Sequence, residues 1–351
     1  MQNPFTTTFS KTPEQTYITT DQPNEILNNF SYDNPSESVY KITGVRGSGK
    51  TVILAKVEAE LRKAGWVVLD INPARDTLQQ IAAILAKHGF AKKKEKSTGF
   101  NVSATIMGTG GGFGYSAAEP DDQFFDIGIE VESMIQEAQK KQQKILIGID
   151  EISKTDEMVK FASEYGRWLR AGYPVYLVCT GLYENIQELS NVKNLTFFRR
   201  ATTIQTEPLN RILMTEMYKN KLDVETEIAQ EMATLTKGYA FAFQELGVIS
   251  FKHGRNFHLD DVIPALKAEL FAYSYEKIWE ELTDMDKFLA KLLTEKEEYK
   301  REEVLTLMGD KAANYSMYRD RLVKRGILTT RHGYIALALP FFADYMKEYC
   351  N

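Results

Sequence analysis

Residues 44–51 read Gly-Val-Arg-Gly-Ser-Gly-Lys-Thr. No other stretch restricts the chain so tightly, because the pattern G-x-x-x-x-G-K-[ST] has a mechanical meaning only where a strand turns into a helix. The flanks supply that junction. Residues 38–44 read as a strand, and over 50–64 the apolar Ile53, Leu54, Val57 and Leu61 recur on one face at helical spacing. Arg62 and Lys63 suit the negative end of that helix and Gly65 is placed to cap it. Residues 66–71 (Trp-Val-Val-Leu-Asp-Ile) then read as a second, buried strand. Strand, loop, helix and strand at these lengths make a βαβ unit, whose parallel strands need helices on the sheet faces.

In such a loop Gly47 and Gly49 let the backbone curl until successive N–H groups point at phosphate oxygens, reinforced by the helix N-terminus. Lys50 would neutralise β- and γ-phosphate charge, and Thr51 would offer a hydroxyl to Mg²⁺, a cation that takes hard oxygen ligands. The whole segment, Gly44, Val45, Arg46, Gly47, Ser48, Gly49, Lys50 and Thr51, is therefore the candidate nucleotide cradle. Read as a plain glycine turn, it leaves the lysine unexplained.

A second signal stands about a hundred residues downstream. Residues 145–151 (Ile-Leu-Ile-Gly-Ile-Asp-Glu) are a buried strand that delivers two acids at its C-terminal end. That is a Walker B pattern: Asp150 would orient the magnesium shell, and Glu151 would polarise an attacking water. Residues 175–180 form another apolar run ending in Thr180-Gly181, which makes Thr180 a candidate sensor of the γ-phosphate. A helical stretch over 156–170 lies between the two runs, and 203–206 is a plausible fifth strand ended by Pro208. Arg199 and Arg200, just before it, are candidates to reach a neighbouring subunit's nucleotide as an arginine finger. Over 91–120 an insertion opens with Lys92-Lys93-Lys94, alternates Phe100, Val102, Ala104 and Ile106 with polar residues, and closes on glycines, the pattern of a β-hairpin. Its glycines do not fit G-x-G-x-x-G, and no Lys-Ser/Thr follows them.

Composition narrows the function classes. A formal net charge of -5 argues against a surface that attracts nucleic acid or anionic membrane all over. Two cysteines, Cys179 and Cys350, make no disulfide framework or thiolate cluster, and the four histidines lack paired ligand spacing. No apolar run of about eighteen residues and no leader pattern appears, so a cytoplasmic protein without a membrane span is expected.

After Pro208 helical patterns continue without a strand signal to about 282, and from 283 three helices precede two short strands around Gly333 and a last helix. Three helices and a β-ribbon are the order of a winged helix. The expected division is a nucleotide core over 1–207, a helical lid over 208–282 and a winged helix over 283–351. Within 311–332, Lys311, Arg319, Arg321, Lys324, Arg325 and Arg331 face a single acid, Asp320. In a DNA reading Asn314, Tyr315, Ser316 and Tyr318 would meet base edges of double-stranded DNA while Arg319 and Arg331 meet phosphates. In the alternative, Leu322, Ile327, Leu328 and Ile335 form a core and the charges solvate its outside.

Taken together, residues 44–51, 145–151 and 175–180 and the Arg199-Arg200 pair resemble the additional-strand P-loop ATPases, namely AAA+ proteins of the archaeal origin-recognition type and the related STAND ATPases. Asn3-Pro4-Phe5 and residues 322–328 are similar to bacterial ATP-binding proteins of that group. The resemblance implies an α/β core with strand order 5-1-4-3-2, a helical lid over the nucleotide, and switching driven by ATP and Mg²⁺, with assembly into homo-oligomers on ATP binding. The absence of a guanine-reading N-K-x-D favours ATP. Two features depart from the pattern: residues 237–244 lack the arginine that many AAA+ proteins use as a second sensor, and Ala240 stands where the STAND lid often has proline. Three roles compete: a switch acting on DNA, a signalling or defence ATPase whose winged helix touches protein, and a small-molecule kinase.

Overall fold

A computed structural model describes residues 2–8, 13–91, 126–254 and 257–350. The insertion expected over 91–120 lies, but for Ala91, outside them. The first half alternates helix and strand: α1 (Asp21–Ser31), β1 (Val39–Thr43), α2 (Lys50–Lys63), β2 (Val67–Ile71), α3 (Thr77–Lys87), α4 (Ile127–Lys140), β3 (Ile145–Ile149), α5 (Asp156–Arg170), β4 (Val175–Gly181), α6 (Tyr183–Ser190), α7 (Thr196–Arg200) and β5 (Thr202–Gln205). Helices follow: α8 (Arg211–Leu222), α9 (Thr226–Leu235), α10 (Ala240–His253), α11 (Leu259–Leu270) and, after one π-helical turn, α12 (Glu276–Glu280). The last part holds α13 (Asp284–Leu292), β6 (Tyr299–Lys300), α14 (Arg301–Met308), α15 (Tyr315–Lys324), β7 (Leu328–Arg331), β8 (Tyr334–Leu337) and α16 (Phe342–Tyr349).

All pairings in the first sheet are parallel, and its order is β2-β3-β4-β1-β5. This is the order implied by the resemblance, read from the opposite edge. Side chains alternate across the sheet: Ile145, Ile147 and Ile149 of β3 join Val175, Leu177 and Cys179 of β4 beneath α3, α4 and α5, whereas Leu146, Tyr176 and Val178 face α1 and α2. Both faces are buried, which explains why these strands read as unbroken apolar runs.

From α8 onward one continuous apolar cluster runs through to α16, and it also takes in Phe5, Ile18 and Val45. Phe5 is 3% exposed, lies 5.7 Å from the Tyr218 ring and 5.9 Å from the Phe243 ring, and occupies the space a side chain at Gly247 would need. The N-terminal segment is thereby fastened to α10. The polypeptide enters α8 through a tight turn in which Leu209 N–H donates to Gly238 carbonyl at 2.8 Å. Gly238 has φ +76°, and a Cβ there would sit 2.7 Å from Pro208, so no other residue fits without displacement. The C-terminal sheet has the order β6-β8-β7, antiparallel throughout. β6, only two residues long, carries no sequence signal and is created by pairing with β8.

Candidate functional site

The loop between β1 and α2 departs from ordinary backbone at two glycines, Gly47 (φ +72°) and Gly49 (φ +94°), the second of which caps α2. Left-handed backbone there is what turns the chain back on itself. Lys50 is buried and donates from Nζ to the carbonyls of Gly44 and Val45, 3.0 Å each. Burial pushes its ammonium down to about 8, against the opposing pull of Glu151 and Asp150.

Parallel register brings three strand ends together beside this loop. The Thr51 hydroxyl donates to Asp150 Oδ2 at 2.8 Å, and the fully buried Thr180 hydroxyl donates to Asp150 Oδ1. Thr180 Oγ1 in turn accepts from the Glu151 N–H at 3.0 Å. Glu151 itself is exposed and adopts φ +56°, a conformation that non-glycine residues avoid. The neighbouring β-strands hold this turn: Ile152 N–H donates to the Thr180 carbonyl at 2.8 Å. Asp150, Thr51 and Thr180 thus form one hydrogen-bonded unit of hard oxygens, the donor chemistry magnesium takes, beside a loop curled at the glycines, the shape a phosphate chain needs. These residues fit a magnesium nucleotide.

Sequence reasoning missed Glu58. It lies 6% exposed on α2 beneath β3, where a Cβ at Gly148 would collide with its carboxyl. Glu58 Oε1 has no hydrogen-bond partner among the described residues, and Arg62 reaches Oε2 at 3.3 Å. Burial, helped by Asp70, raises this carboxyl to about 7 although Arg62 opposes the rise. A signal was present: Glu58 stands four residues after Leu54 and three before Leu61, on the apolar stripe.

The loop is also gripped from outside. Tyr239 Oη donates to the Arg46 carbonyl at 2.6 Å and lies 2.6 Å from Ser274 Oγ, and Phe241 N–H donates to the Gly47 carbonyl at 3.0 Å. A Cβ at Gly47 would meet Tyr239 Oη at 2.5 Å, so that glycine admits the α10 N-terminus as well as the turn. The Arg46 guanidinium bonds Glu281 Oε1 at 2.9 and 2.7 Å.

The basic residues of 311–332 divide. Arg325 is 8% exposed, pairs with Glu184 and donates to the Glu281 carbonyl at 3.1 Å. Arg321 bonds the fully buried Asp286 at 2.9 and 2.7 Å. Tyr315, expected to face bases, is 2% exposed and belongs to the apolar core, on a helix that packs against α13 and β7. Lys311, Lys324 and Arg331 remain exposed, while Arg319 pairs with Asp320. Arg199 and Arg200 are exposed at the end of α7 and form no ion pair among the described residues.

Solved structures share this architecture, two of them over nearly the whole chain. A Walker-type ATPase of Pyrococcus abyssi matches with a TM-score of 0.63 at 12% identity, over 93% of this chain and 95% of the other. The ORC2 protein of Aeropyrum pernix, solved in ADPNP and ADP complexes, matches with a TM-score of 0.52 at 12% identity, over 92% and 89%. The fold is that of P-loop ATPases of the origin-recognition AAA+ type. Residues 271–346 match a family model described as a domain of unknown function, DUF8462. No curated protein matches the sequence. Among the described residues no helix is long and apolar enough to cross a membrane.

Proposed function

We propose that the chain is an ATP-binding, magnesium-dependent ATPase that works as a conformational switch. The observation that carries this reading is the convergence of Thr51, Asp150 and Thr180 into one bonded unit beside Lys50. Gly44, Val45, Arg46, Gly47, Ser48 and Gly49 form the cradle, Lys50 meets phosphate charge, and Thr51 with Asp150 holds the magnesium shell. Bound magnesium would neutralise charge on the phosphates and orient them. Thr180 keeps the Asp150 carboxylate aimed and fixes the Glu151 backbone, which leaves the Glu151 carboxylate free to take a proton from water. Its left-handed turn presents that side chain rather than burying it.

We divide the chain into a core over 1–207, a lid over 208–282 and a winged helix over 283–351. The antiparallel β6-β8-β7 ribbon behind α13, α14 and α15 supports the last assignment. Arg199 and Arg200, exposed and without acid partners among the described residues, suit action on a second copy's nucleotide in an ATP-dependent homo-oligomer. Cys179 and Cys350, both free and buried, suit the reducing cytoplasm.

Nucleotide titration and phosphate release test the reading. Lys50→Ala should abolish binding; Glu151→Gln should bind and fail to turn over, and equal turnover in that variant removes Glu151 from the chemistry. Contact with double-stranded DNA is a second reading, favoured by exposed Lys311, Lys324 and Arg331. Salt-dependent duplex binding that is lost in Arg319→Glu and Arg331→Glu would support it. Arg325, committed to Glu184, lies outside that surface.

A further inference from the structure

On the outer face of the nucleotide loop, three parts of the chain meet at Arg46. The Arg46 carbonyl accepts from Tyr239 at the start of α10, its neighbour Gly47 accepts from Phe241, and its guanidinium holds Glu281 immediately after α12. Glu281 is itself built into the C-terminal contact, since its carbonyl accepts from Arg325, which also pairs with Glu184 beyond β4 and with Asp286. Gln205 Nε2 adds a bond to the Val323 carbonyl at 2.8 Å, and Gly326 sits 3.5 Å, measured from its would-be Cβ, from the Val45 nitrogen. The C-terminal elements therefore rest on the loop itself.

Arg46 and Glu281 both lie within electrostatic reach of the Lys50 ammonium, the first lowering and the second raising its proton affinity. Their side chains are 37% and 34% exposed, so the pair is half open to water and a bound polyanion competes for the same guanidinium. A phosphate chain offers the guanidinium forked, charge-assisted hydrogen bonds with more negative charge behind them, whereas both of its bonds to Glu281 fall on the one oxygen Oε1.

We infer that Arg46 is a nucleotide-binding residue that exchanges partners: held by Glu281 in the structure described, it turns to the phosphates of the bound nucleotide and in doing so slackens the C-terminal elements on the core. This rests on the nucleotide reading above. Glu281 is then a competitor of the ligand, and by linkage whatever the pair costs nucleotide binding, nucleotide binding costs the pair.

The experiment is a double-mutant cycle on nucleotide affinity, with Mg-ATP as titrant and full-length protein. Glu281→Gln should tighten binding roughly threefold, the scale of one half-exposed ion pair. Arg46→Gln should weaken it, and in the Arg46→Gln background Glu281→Gln should change nothing. Melting temperatures of the four proteins check folding; should Glu281→Gln unfold, Glu281→Asp, whose shorter arm loosens the pair, takes its place in the cycle with the same expectation. Unchanged or weaker binding in Glu281→Gln, or effects that simply add, overturns the exchange. If the wild type binds no nucleotide, the nucleotide reading falls and this inference with it. If the wild type binds and Lys50→Ala does not, a flat cycle sinks the exchange alone.

Discussion

Glu58→Gln offers the sharpest physical test of the core beneath the site. The wild-type carboxyl keeps its proton to about 7 in the fold, against an ordinary 4.5, because burial and Asp70 outweigh Arg62. A raised carboxyl means that the folded state binds more protons than the unfolded chain between those two values, so stability falls as pH rises through that window and then levels off. At about 1.4 kcal/mol per pH unit the ceiling is about 3 kcal/mol, and relaxation around the carboxyl trims the expected value to about 1–3 kcal/mol. Glutamine keeps the shape and removes the charge. The variant should match wild type near pH 4, below the unfolded value, and exceed it by that amount at pH 8. Urea unfolding followed through the buried Trp168 fluorescence at both pH values measures the difference. An identical difference at the two pH values, or a loss of stability at pH 8, would mean that the carboxylate is paired and the reasoning wrong.

Three further outcomes are expected. Because Lys50 loses its proton through about 8, nucleotide affinity should decline as pH rises above that value, by up to about tenfold per unit; a flat titration between neutral and strongly alkaline pH refutes the link. Tyr239→Phe strips a buried hydroxyl from the Arg46 carbonyl and Ser274, which should cost about 1–3 kcal/mol and lower the melting temperature; an unchanged melt would show the bridge to be idle. Asp286→Ala leaves Arg321 facing a buried void, so a loss of about 3–5 kcal/mol in denaturant unfolding is expected, and a loss under about 1 kcal/mol would contradict it.

Much of the core was legible before any coordinates. α5 runs from Asp156 to Arg170 as its periodicity says, and the strands begin and end within a residue or so of the apolar runs. The sheet order needed the resemblance, since no local pattern says that β4 lies between β3 and β1. In the C-terminal part helix positions were legible, yet the charges on them were not. Arg325 and Arg331 look alike in sequence, but one is sealed against Glu184, 141 residues away, and the other faces solvent. Helical spacing tells which residues share a face; it does not tell what that face meets.

The sequence by itself determined the parts whose physics is local. Glycines that tolerate left-handed backbone, a lysine at a helix start and an acid closing an aliphatic strand define the curled loop and the carboxylate at the strand end, because those preferences belong to the residues themselves. Only the tertiary structure decided that Tyr239 and Phe241 press on that loop, that Arg46 is held by Glu281 from 235 residues away, and that Glu58 is buried without a full set of partners. Those facts depend on which surfaces pack together, a property of the whole folded chain and of no segment within it.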